Sequence, residues 1–354
     1  MSLLEKLRKN SKIDSSDILS DSKFFAAKDL TSTPVAMINV ALSGRVDGGL
    51  SSGLTVLAGP SKHFKTSFAL LMASSFLKKH KDAALLFYDS EFGSPQSYFE
   101  SFGIDTRRVF HTPIKNIEDL KFDLIGQLEG LTRGEKLIII IDSVGNVASK
   151  KELEDAINEK SVADMSRAKA LKGLFRMTTP YLSMKDIPLI AINHIYMEQG
   201  LYPKAIVSGG TGIYYSSDNI WIIGRQQEKE GTEVMGYNFI INVEKSRFVK
   251  EKSRIPVCVT WEGGISKWGG LLDVALELGY VTKPSMGWYV PVDPATKKEL
   301  TTKKYRADET ENEEFWKELF SKTDLAKAIE NRFSVSSKAM IDRVTSAAEA
   351  DEDV

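Results

Sequence analysis

The order of apolar and polar positions along the chain predicts strands and helices in alternation. Between Pro34 and about Trp268, short apolar runs alternate with longer amphipathic stretches, a pattern typical of βαβ units that share a largely parallel sheet. The predicted strands are Leu54–Ala58, Ala83–Tyr88, Leu137–Ile141, Leu189–Ile192, Asn219–Ile223, Phe239–Val243 and Val257–Trp261. The last three follow one another through short connections, so we expect the sheet to end in antiparallel hairpins.

The same pattern divides the chain into regions. These are an N-terminal arm (1–32), an α/β core (33–269), a small α+β region (270–335) and an acidic tail (336–354) that is predicted to be disordered. In the polar arm, the adjacent Phe24 and Phe25 either pack on their own domain or dock on a neighbouring subunit. The predicted elements of the small region are helices at Leu271–Leu278, Glu313–Phe320 and Leu325–Phe333 and a strand at Gly287–Val290.

Composition narrows the class of protein. The 354 residues carry a net charge of −1, with 42% hydrophobic and 27% charged residues. These values suit a large α/β core and exclude an overall basic nucleic-acid binder, so any nucleic-acid site must be local. The single cysteine, Cys258, excludes an internal disulfide and fits a reducing cytosol. The N-terminus lacks the apolar segment of a signal peptide, and no apolar run approaches the ~20 residues of a membrane span.

Residues 59–66 read Gly-Pro-Ser-Lys-His-Phe-Lys-Thr and lie between a predicted strand and a helical pattern. They match the phosphate-binding pattern G-x-x-x-x-G-K-[ST], except that Phe64 replaces the second glycine. In such a loop, backbone N–H groups face an anion, Lys65 adds a positive charge and Thr66 can hold Mg²⁺. Phe64 must then either have a negative φ angle or tolerate strain. The alternative is an ordinary strand–turn–helix junction. The candidate nucleotide-binding residues are Gly59, Pro60, Ser61, Lys62, His63, Phe64, Lys65, Thr66 and Ser67.

Two carboxylates follow predicted strands, at the edge where open α/β sheets bind ligands. Asp142 comes directly after the apolar run Leu137–Ile141, which is typical of a strand buried on both faces. This is the usual place of the carboxylate that holds Mg²⁺ in phosphate-loop enzymes. Glu91 closely follows the strand Ala83–Tyr88 and is a candidate for orienting an attacking water. The alternative for Glu91 is a residue beside a helix N-cap.

The ordered set of motifs resembles the RecA-like strand-exchange recombinases, and the phage-encoded members most closely. The resemblance runs from about residue 24 to about residue 335. It rests on the segments Asn39–Gly44, Gly48–Gly53, Leu57–Lys62, Leu86–Gly93, Ile141–Ser143, Ile192–His194, Gly209–Gly212 and Val243–Arg247. It implies an α/β fold with a RecA-like P-loop ATPase core, whose mostly parallel central sheet carries antiparallel edge strands.

The resemblance also implies roles for the residues around a bound ATP and its Mg²⁺. Lys65 and Thr66 match the phosphate lysine and the Mg²⁺ hydroxyl of the family. Asp142 matches the Walker B aspartate. Glu91 is similar to the glutamate that activates the attacking water, and Tyr98 is similar to an aromatic residue near the adenine.

Three further positions correspond to residues that respond to the nucleotide. His194 stands where bacterial RecA has a glutamine that senses the γ-phosphate. A neutral imidazole offers one donor and one acceptor in place of an amide, and a hydrogen-bonded histidine at a strand end is the alternative. Lys245 and Arg247 match two basic residues that reach a neighbouring subunit's ATP, much as an arginine finger does. Their alternative is a solvated strand edge.

Two segments resemble the loops that hold DNA along a filament axis. Residues 149–160 read as a charged loop, and residues 196–212 read as a long Gly-rich loop. Cations and main-chain N–H groups would contact phosphates, which suits DNA binding that does not depend on the base sequence. Tyrosines would stack on bases or wedge between them. The candidate DNA-binding residues are Lys150, Lys151, Tyr196, Tyr202, Lys204, Gly209 and Gly210.

Together, these matches imply an ATP-dependent recombinase that forms a helical filament on single-stranded DNA and exchanges strands with double-stranded DNA. ATP would lie between subunits, with Phe24 and Phe25 docked on the neighbouring subunit. A recombination mediator, a single-strand DNA-binding protein and the cytoplasm of a bacterial host are the implied partners and location. Two alternatives stay open: a RecA-core hexameric helicase, and a regulatory paralogue that binds nucleotide without strand exchange. The presence of Glu91 and Lys65 argues against the paralogue.

Overall fold

The fold was analysed in a computed structural model of the chain. The structure describes residues 2–13, 15–22, 29–158, 166–198, 200, 203–230 and 233–335. Phe24, Phe25, Tyr202 and the tail 336–354 lie outside these ranges, so what the sequence predicts for them stays a prediction.

The described residues form helices and strands in alternation along most of the chain. The helices are α1 (Leu3–Asn10), α2 (Ala36–Ser43), α3 (Lys65–Lys79), α4 (Gln96–Ser101), α5 (Ile117–Gly130), α6 (Lys150–Ile157), α7 (Ser166–Lys185), α8 (Thr211–Ser216), α9 (Leu271–Glu277), α10 (Glu313–Lys322) and α11 (Leu325–Phe333). The strands are β1 (Gly53–Ala58), β2 (Ala84–Asp89), β3 (Val109–Pro113), β4 (Leu137–Asp142), β5 (Pro188–Asn193), β6 (Ile195–Met197), β7 (Ala205–Val207), β8 (Asn219–Glu230), β9 (Glu233–Ser246), β10 (Arg254–Thr260), β11 (Gly264–Ile265), β12 (Val281–Ser285) and β13 (Trp288–Pro291).

The central sheet has nine strands in the order β11-β10-β9-β8-β1-β5-β4-β2-β3. The strands from β8 to β3 in this order run parallel. The strands β9, β10 and β11 extend the sheet antiparallel from β8. The predicted α/β fold, with a mostly parallel sheet and antiparallel edge strands, is therefore confirmed.

The burial of both faces of strand β4 explains why its sequence is apolar throughout. Ile138 and Ile140 pack into the core on one face of the sheet. Ile139 and Ile141 pack into the core on the other face. Successive side chains of a strand point to opposite faces, so a strand covered on both sides needs apolar residues throughout. The two covered faces leave the carboxyl ends of the strands as the open edge where a site can form.

The region after β11 packs against the main core. Trp316 of α10 is buried and stacks on Trp268 with ring centroids 6.4 Å apart. Leu325 and Phe333 of α11 belong to the same buried cluster as the core strands β9 and β10. The final described residue, Val335, donates its N–H to the carbonyl of Phe248 at 2.9 Å. This packing continues the hydrophobic core across the boundary that the sequence predicts near residue 269.

Two predicted loops contain regular structure, so those predictions were wrong. Within residues 149–160, a helix (α6) begins after Ser149, whose hydroxyl accepts from the N–H of Glu152 while the Glu152 carboxylate accepts from the N–H of Ser149. This reciprocal pair is a capping box. Residues 196–212 contribute to the β6–β7 hairpin and to α8. In the described part of the chain, no helix has both the length and the apolar character needed to cross a bilayer.

Candidate nucleotide site

The phosphate-loop residues line a cavity of about 420 Å³ at the carboxyl end of the central strands. The loop follows β1 and leads into α3, so its backbone N–H groups meet the N-terminus of a helix, which favours anions. The cavity walls bring together residues that lie far apart in the sequence: Ser61–Ser67, Glu91, Tyr98, Asp142 and His194.

Lys65 lies buried at the floor of the loop. Its ammonium donates to the carbonyls of Gly59 and Pro60, at 3.1 and 2.7 Å. Burial lowers the pKa of the Lys65 side chain from its usual value, because the charged form loses its hydration. An ammonium has three donors, so a phosphate oxygen can accept from the third or replace a carbonyl.

Phe64 occupies the position of the missing glycine in the left-handed conformation, with φ of 54°. Of the two possibilities that the sequence leaves open, a negative φ and a strained backbone, the structure shows the second. The ring packs against Phe239 and Phe68, with centroids 5.0 and 6.4 Å apart. Aromatic packing offsets the cost of the conformation, so the loop keeps its shape without the glycine.

Asp142 ends β4 and faces the start of α3. The Thr66 hydroxyl donates to its Oδ2 at 2.8 Å. Its Oδ1 is buried, with no hydrogen-bond partner among the described residues. Burial raises the pKa of Asp142 from 3.8 to about 6, since a buried carboxylate loses hydration. A hydroxyl and a carboxylate with an open oxygen are hard oxygen ligands of the kind that Mg²⁺ prefers.

The backbone of Glu91 is held by the residue that ends β2. Asp89 accepts hydrogen bonds at Oδ1 from the N–H groups of Glu91 and Phe92, at 3.0 and 2.7 Å. Its Oδ2 lies 3.1 Å from His111 Nε2. Asp89 is buried, so its carboxylate holds this turn from the protein interior. The next helix, α4, begins only at Gln96, so Glu91 does not neighbour a helix N-cap.

The side chain of Glu91 meets two donors from other parts of the chain. His194 Nε2 lies 3.2 Å from Glu91 Oε1, and Asn146 Nδ2 donates to the same oxygen at 3.0 Å. The sequence predicts neither Asn146 nor the supporting Asp89. Asp142, at the end of β4, and Glu91, in the turn after β2, thus line one cavity.

Tyr98 lies on the wall of the cavity, in α4. Its hydroxyl forms a hydrogen bond of 2.6 Å with the hydroxyl of Ser67, in the first turn of α3. Its ring packs edge-on against Phe102. The aromatic ring is therefore fixed next to the phosphate loop.

Comparison with known proteins decides the family. Residues 5–266 match the RecA N-terminal domain, and residues 268–329 match the C-terminal domain of the bacteriophage T4 recombination and repair protein. The recombination and repair protein of Enterobacteria phage T4 is 50% identical over 320 residues, which cover 90% of this chain and 82% of that protein. The chain belongs to the RecA-like recombinases.

More distant relatives share the same core. Protein RecA of Chloroherpeton thalassium is 28% identical over 247 residues, covering 68% of this chain and 67% of that protein. Protein RecA of Syntrophus aciditrophicus is 25% identical over 266 residues, covering 74% of this chain and 75% of that protein.

In this RecA-like recombinase, Lys245 lies at the end of β9 and Arg247 directly follows the strand, and neither lines the cavity of its own chain. Lys245 Nζ donates to the carbonyls of Tyr214 and Tyr215, at 2.7 and 3.3 Å, and burial lowers its pKa. Arg247 pairs with the buried carboxylate of Asp218. Both cations therefore have partners within the chain that the sequence does not reveal.

In α6, the first of the two segments predicted to bind DNA, the lysines have acidic neighbours. Lys151 lies 3.8 Å from Asp155, one helical turn away. The backbone N–H of Lys150 donates to Glu118 Oε2 at 2.8 Å, and its side chain is exposed. Glu152 thus caps α6 and Asp155 pairs with Lys151, which accounts for these two acidic residues among the lysines.

The second predicted DNA segment contains most of the β6–β7 hairpin, whose base is hydrogen-bonded to a residue of the nucleotide site. Tyr196 is exposed on β6. The N–H of Glu198 donates to the carbonyl of the exposed Lys204, at 2.8 Å. Gly209 and Gly210 both have positive φ angles, 99° and 73°, which glycine adopts at little cost. The base is closed where the N–H of Ser208 donates to the carbonyl of His194 at 3.0 Å.

Proposed function

We propose that this RecA-like recombinase hydrolyses ATP in response to DNA and forms a helical filament on single-stranded DNA. In the filament it would catalyse homologous pairing and strand exchange. The observation that carries the proposal is the convergence of Lys65, Thr66, Asp142 and Glu91 on one cavity. Three of these would hold a nucleotide with its metal, and the fourth is a carboxylate that lines the same cavity.

ATP would bind with its phosphates on the loop and on Lys65. Thr66 and Asp142 would hold Mg²⁺, and the Asp142 oxygen that has no partner among the described residues supports that fit. When bound, Mg²⁺ neutralises charge on the phosphate oxygens. Tyr98 would lie beside the adenine, since its ring is fixed next to the loop.

Glu91 would orient the attacking water and accept its proton. Such a role requires a carboxylate within hydrogen-bond reach of the water, held in one orientation. Asp89 fixes the backbone of Glu91, and two donors meet its side chain. His194 would report the state of the phosphates to the hairpin that follows it.

Lys245 and Arg247 would complete the site of a neighbouring subunit. They lie outside the cavity of their own chain, which is what action across an interface requires. Their contacts with the α8 carbonyls and with Asp218 would then be exchanged for contacts with phosphate. ATP binding would in this way stabilise one arrangement of neighbouring subunits over another.

DNA would run along two segments, α6 and the β6–β7 hairpin. Lys150, Lys151, Lys204 and the N–H groups of Gly209 and Gly210 would contact phosphates, while Tyr196 and Tyr202 would stack on bases. Both single-stranded and double-stranded DNA are substrates on this proposal. We also infer a recombination mediator, a single-strand DNA-binding protein and action in the cytoplasm of a bacterial host from the family.

Electron microscopy tests the assembly. The protein with single-stranded DNA and a non-hydrolysable ATP analogue should form continuous helical filaments, and Lys65→Ala should reduce them strongly. Closed rings would instead support a helicase of the RecA-core type. Nucleotide-bound protein that never assembles on DNA would support a regulatory paralogue.

A further inference from the structure

We propose that Asn146 is a positioning residue for Glu91, which it holds, together with His194, in the orientation needed to activate water. The inference rests on the proposed function, because it takes Glu91 as the residue that orients the water. It adds a residue that the phosphate-loop and strand-end motifs do not contain.

Both donors converge on a single oxygen of the carboxylate. Asn146 Nδ2 lies 3.0 Å and His194 Nε2 lies 3.2 Å from Glu91 Oε1. Rotation of the carboxylate would break both contacts. An ionised carboxylate has about four acceptor positions on its two oxygens, so Oε2 keeps the capacity to accept from a water. Two donors on one oxygen therefore fix the group without blocking it.

The turn that carries Asn146 is held by an arginine. Val144–Asn146 form a 3-10 turn directly after β4. Arg167, at the start of α7, donates to the carbonyls of Val144, Gly145 and Val147, at 3.2, 2.7 and 3.0 Å. Val144 and Val147 are buried, whereas Asn146 is exposed. The backbone is thus anchored on one side, and the amide of Asn146 is presented to Glu91 on the other.

Gly145, within the same turn, makes room for the second donor. A Cβ atom at Gly145 would lie 2.4 Å from His194 Cδ2, closer than such contacts allow. The imidazole can therefore reach Glu91 only because position 145 has no side chain. One turn supplies a donor to Glu91 and the space for the other donor, which is why we assign the turn to the chemistry of Glu91 rather than to packing alone.

The test compares variants of Asn146 in DNA-dependent ATP turnover by the full-length protein. Asn146→Ala removes one donor and should lower kcat by about tenfold or more, with the ~10²–10⁴-fold that a general base contributes as the upper limit. The KM for ATP should stay within about twofold, because Asn146 does not line the phosphate loop. Asn331→Ala, an exposed asparagine on α11, is the matched control and should leave turnover unchanged.

Asn146→Asp separates positioning from a structural role. Aspartate keeps the shape of the side chain but places a second carboxylate beside Glu91 Oε1, so repulsion should lower kcat further than alanine does. If Asn146 only shaped the turn, aspartate would retain more activity than alanine. Asn146→Ser keeps a polar residue in the turn, but its side chain is too short to reach Glu91, so its kcat should match that of Asn146→Ala. If Asn146→Ala does not fold, Asn146→Ser provides the same test.

A double variant links the effect to Glu91. In a Glu91→Gln background, Asn146→Ala should lower turnover no further, since residues that act as a unit are not additive. If Asn146→Ala and Asn146→Asp both keep kcat within about twofold of the parent protein, the proposal is wrong. A parent-like rate in Glu91→Gln alone would instead overturn the proposed role of Glu91, so the two failures are distinguishable.

Discussion

The hydroxyl of Thr66 donates a hydrogen bond of 2.8 Å to Asp142 Oδ2 and so joins the first turn of α3 to the end of β4. The bond satisfies one oxygen of a buried carboxylate, and the other oxygen has no partner in the described part of the chain. On the proposed function, Asp142 would bind the metal of the nucleotide complex, whereas its burial in the free protein should lower the free energy of unfolding when it is ionised.

Ionised Asp142 should destabilise the nucleotide-free protein. Its pKa is raised from 3.8 to about 6 on folding. The stabilisation from its protonated form is therefore fully present below pH 3.8 and is lost as the pH rises through about 6. Asp142→Asn has no such dependence. Its stability relative to the parent should grow with pH, levelling off above about pH 7, with a total change of up to about 3 kcal/mol.

Thermal or urea unfolding of both proteins across this pH range checks the prediction. The pH dependence of the difference is the quantity to measure, because the asparagine amide adds a constant offset of its own. A stability difference that does not change between about pH 5 and about pH 8 would show that Asp142 is ionised normally in the fold.

Two substitutions separate nucleotide binding from chemistry. Lys65→Ala should abolish turnover, because it removes the positive charge that would bind the phosphates. Glu91→Gln should still bind ATP but lose ~10²–10⁴-fold in hydrolysis, because it removes the carboxylate that we propose to position the water. Binding of a fluorescent ATP analogue and steady-state turnover with DNA distinguish the two effects. Parent-like hydrolysis by Glu91→Gln would remove Glu91 from the mechanism.

The left-handed conformation of Phe64 can be tested by comparing the stabilities of two variants, Phe64→Gly and Phe64→Ala. Phe64→Gly and Phe64→Ala both remove the ring that packs on Phe239 and Phe68. Only glycine also relieves the left-handed conformation, which costs other residues about 1–2 kcal/mol. Phe64→Gly should therefore be the more stable of the two by about 1 kcal/mol in urea unfolding. Equal stability, or greater stability of the alanine variant, would indicate that the loop has a negative φ here.

Action across a subunit interface can be tested by mixing two inactive proteins. Arg247→Ala should reduce DNA-stimulated turnover by ~10³-fold or more, as removal of a trans-acting arginine does. In an equal mixture with Lys65→Ala, about a quarter of interfaces would pair an intact Lys65 with an intact Arg247, so turnover should partly recover.

The partner of Arg247 within the chain requires a control. Removing Arg247 leaves the buried Asp218 without its cation. Arg247→Lys keeps a positive charge beside Asp218, and it should show whether a drop in turnover follows from folding or from the guanidinium group. Mixtures that assemble together yet recover no turnover would contradict action in trans.

The β6–β7 hairpin yields a prediction about DNA. Lys204→Ala should make the plot of log affinity against log salt shallower, by about 0.7 for each phosphate of single-stranded DNA that is no longer neutralised. Tyr196→Ala should instead weaken binding by roughly 1–3 kcal/mol with little change in slope, if the ring stacks on a base. Tyr202→Ala, outside the described residues, is the parallel test.

Anisotropy titrations at several salt concentrations separate these effects. Lys283→Ala, an exposed lysine on the β12–β13 hairpin, is a matched control and should change neither quantity. Unchanged affinity and slope for Lys204, Tyr196 and Tyr202 variants alike would mean that this hairpin does not contact DNA.

The sequence predicts the central strands well because their burial dictates their composition. Leu137–Ile141 is apolar throughout since the sheet is covered on both faces. The sequence does not predict the edge strand β3, because Phe110 and His111 are exposed and apolar and polar residues are mixed along the strand. The charge pattern of residues 149–160 predicts a loop where α6 forms, although Ser149 and Glu152 carry the readable signature of a capping box.

The contacts that complete the site depend on tertiary structure. Asn146 lies 55 residues from Glu91 in the sequence, and an exposed asparagine in a turn carries no sign of its partner. The pairing of Arg247 with Asp218 likewise follows only from the register of β8 against β9. The conformation of Phe64 is one of two possibilities that local sequence leaves open, and packing on Phe239 decides between them.

Homology-dependent strand exchange tests the central claim most directly. Circular single-stranded DNA and a linear duplex are incubated with the protein, ATP and Mg²⁺, and the joint molecules are measured. We predict joint molecules only when the two DNAs share sequence, and their disappearance in Lys65→Ala. Processive unwinding without pairing, or no joint molecules from a protein that binds both ATP and single-stranded DNA, would contradict the assignment as a strand-exchange recombinase.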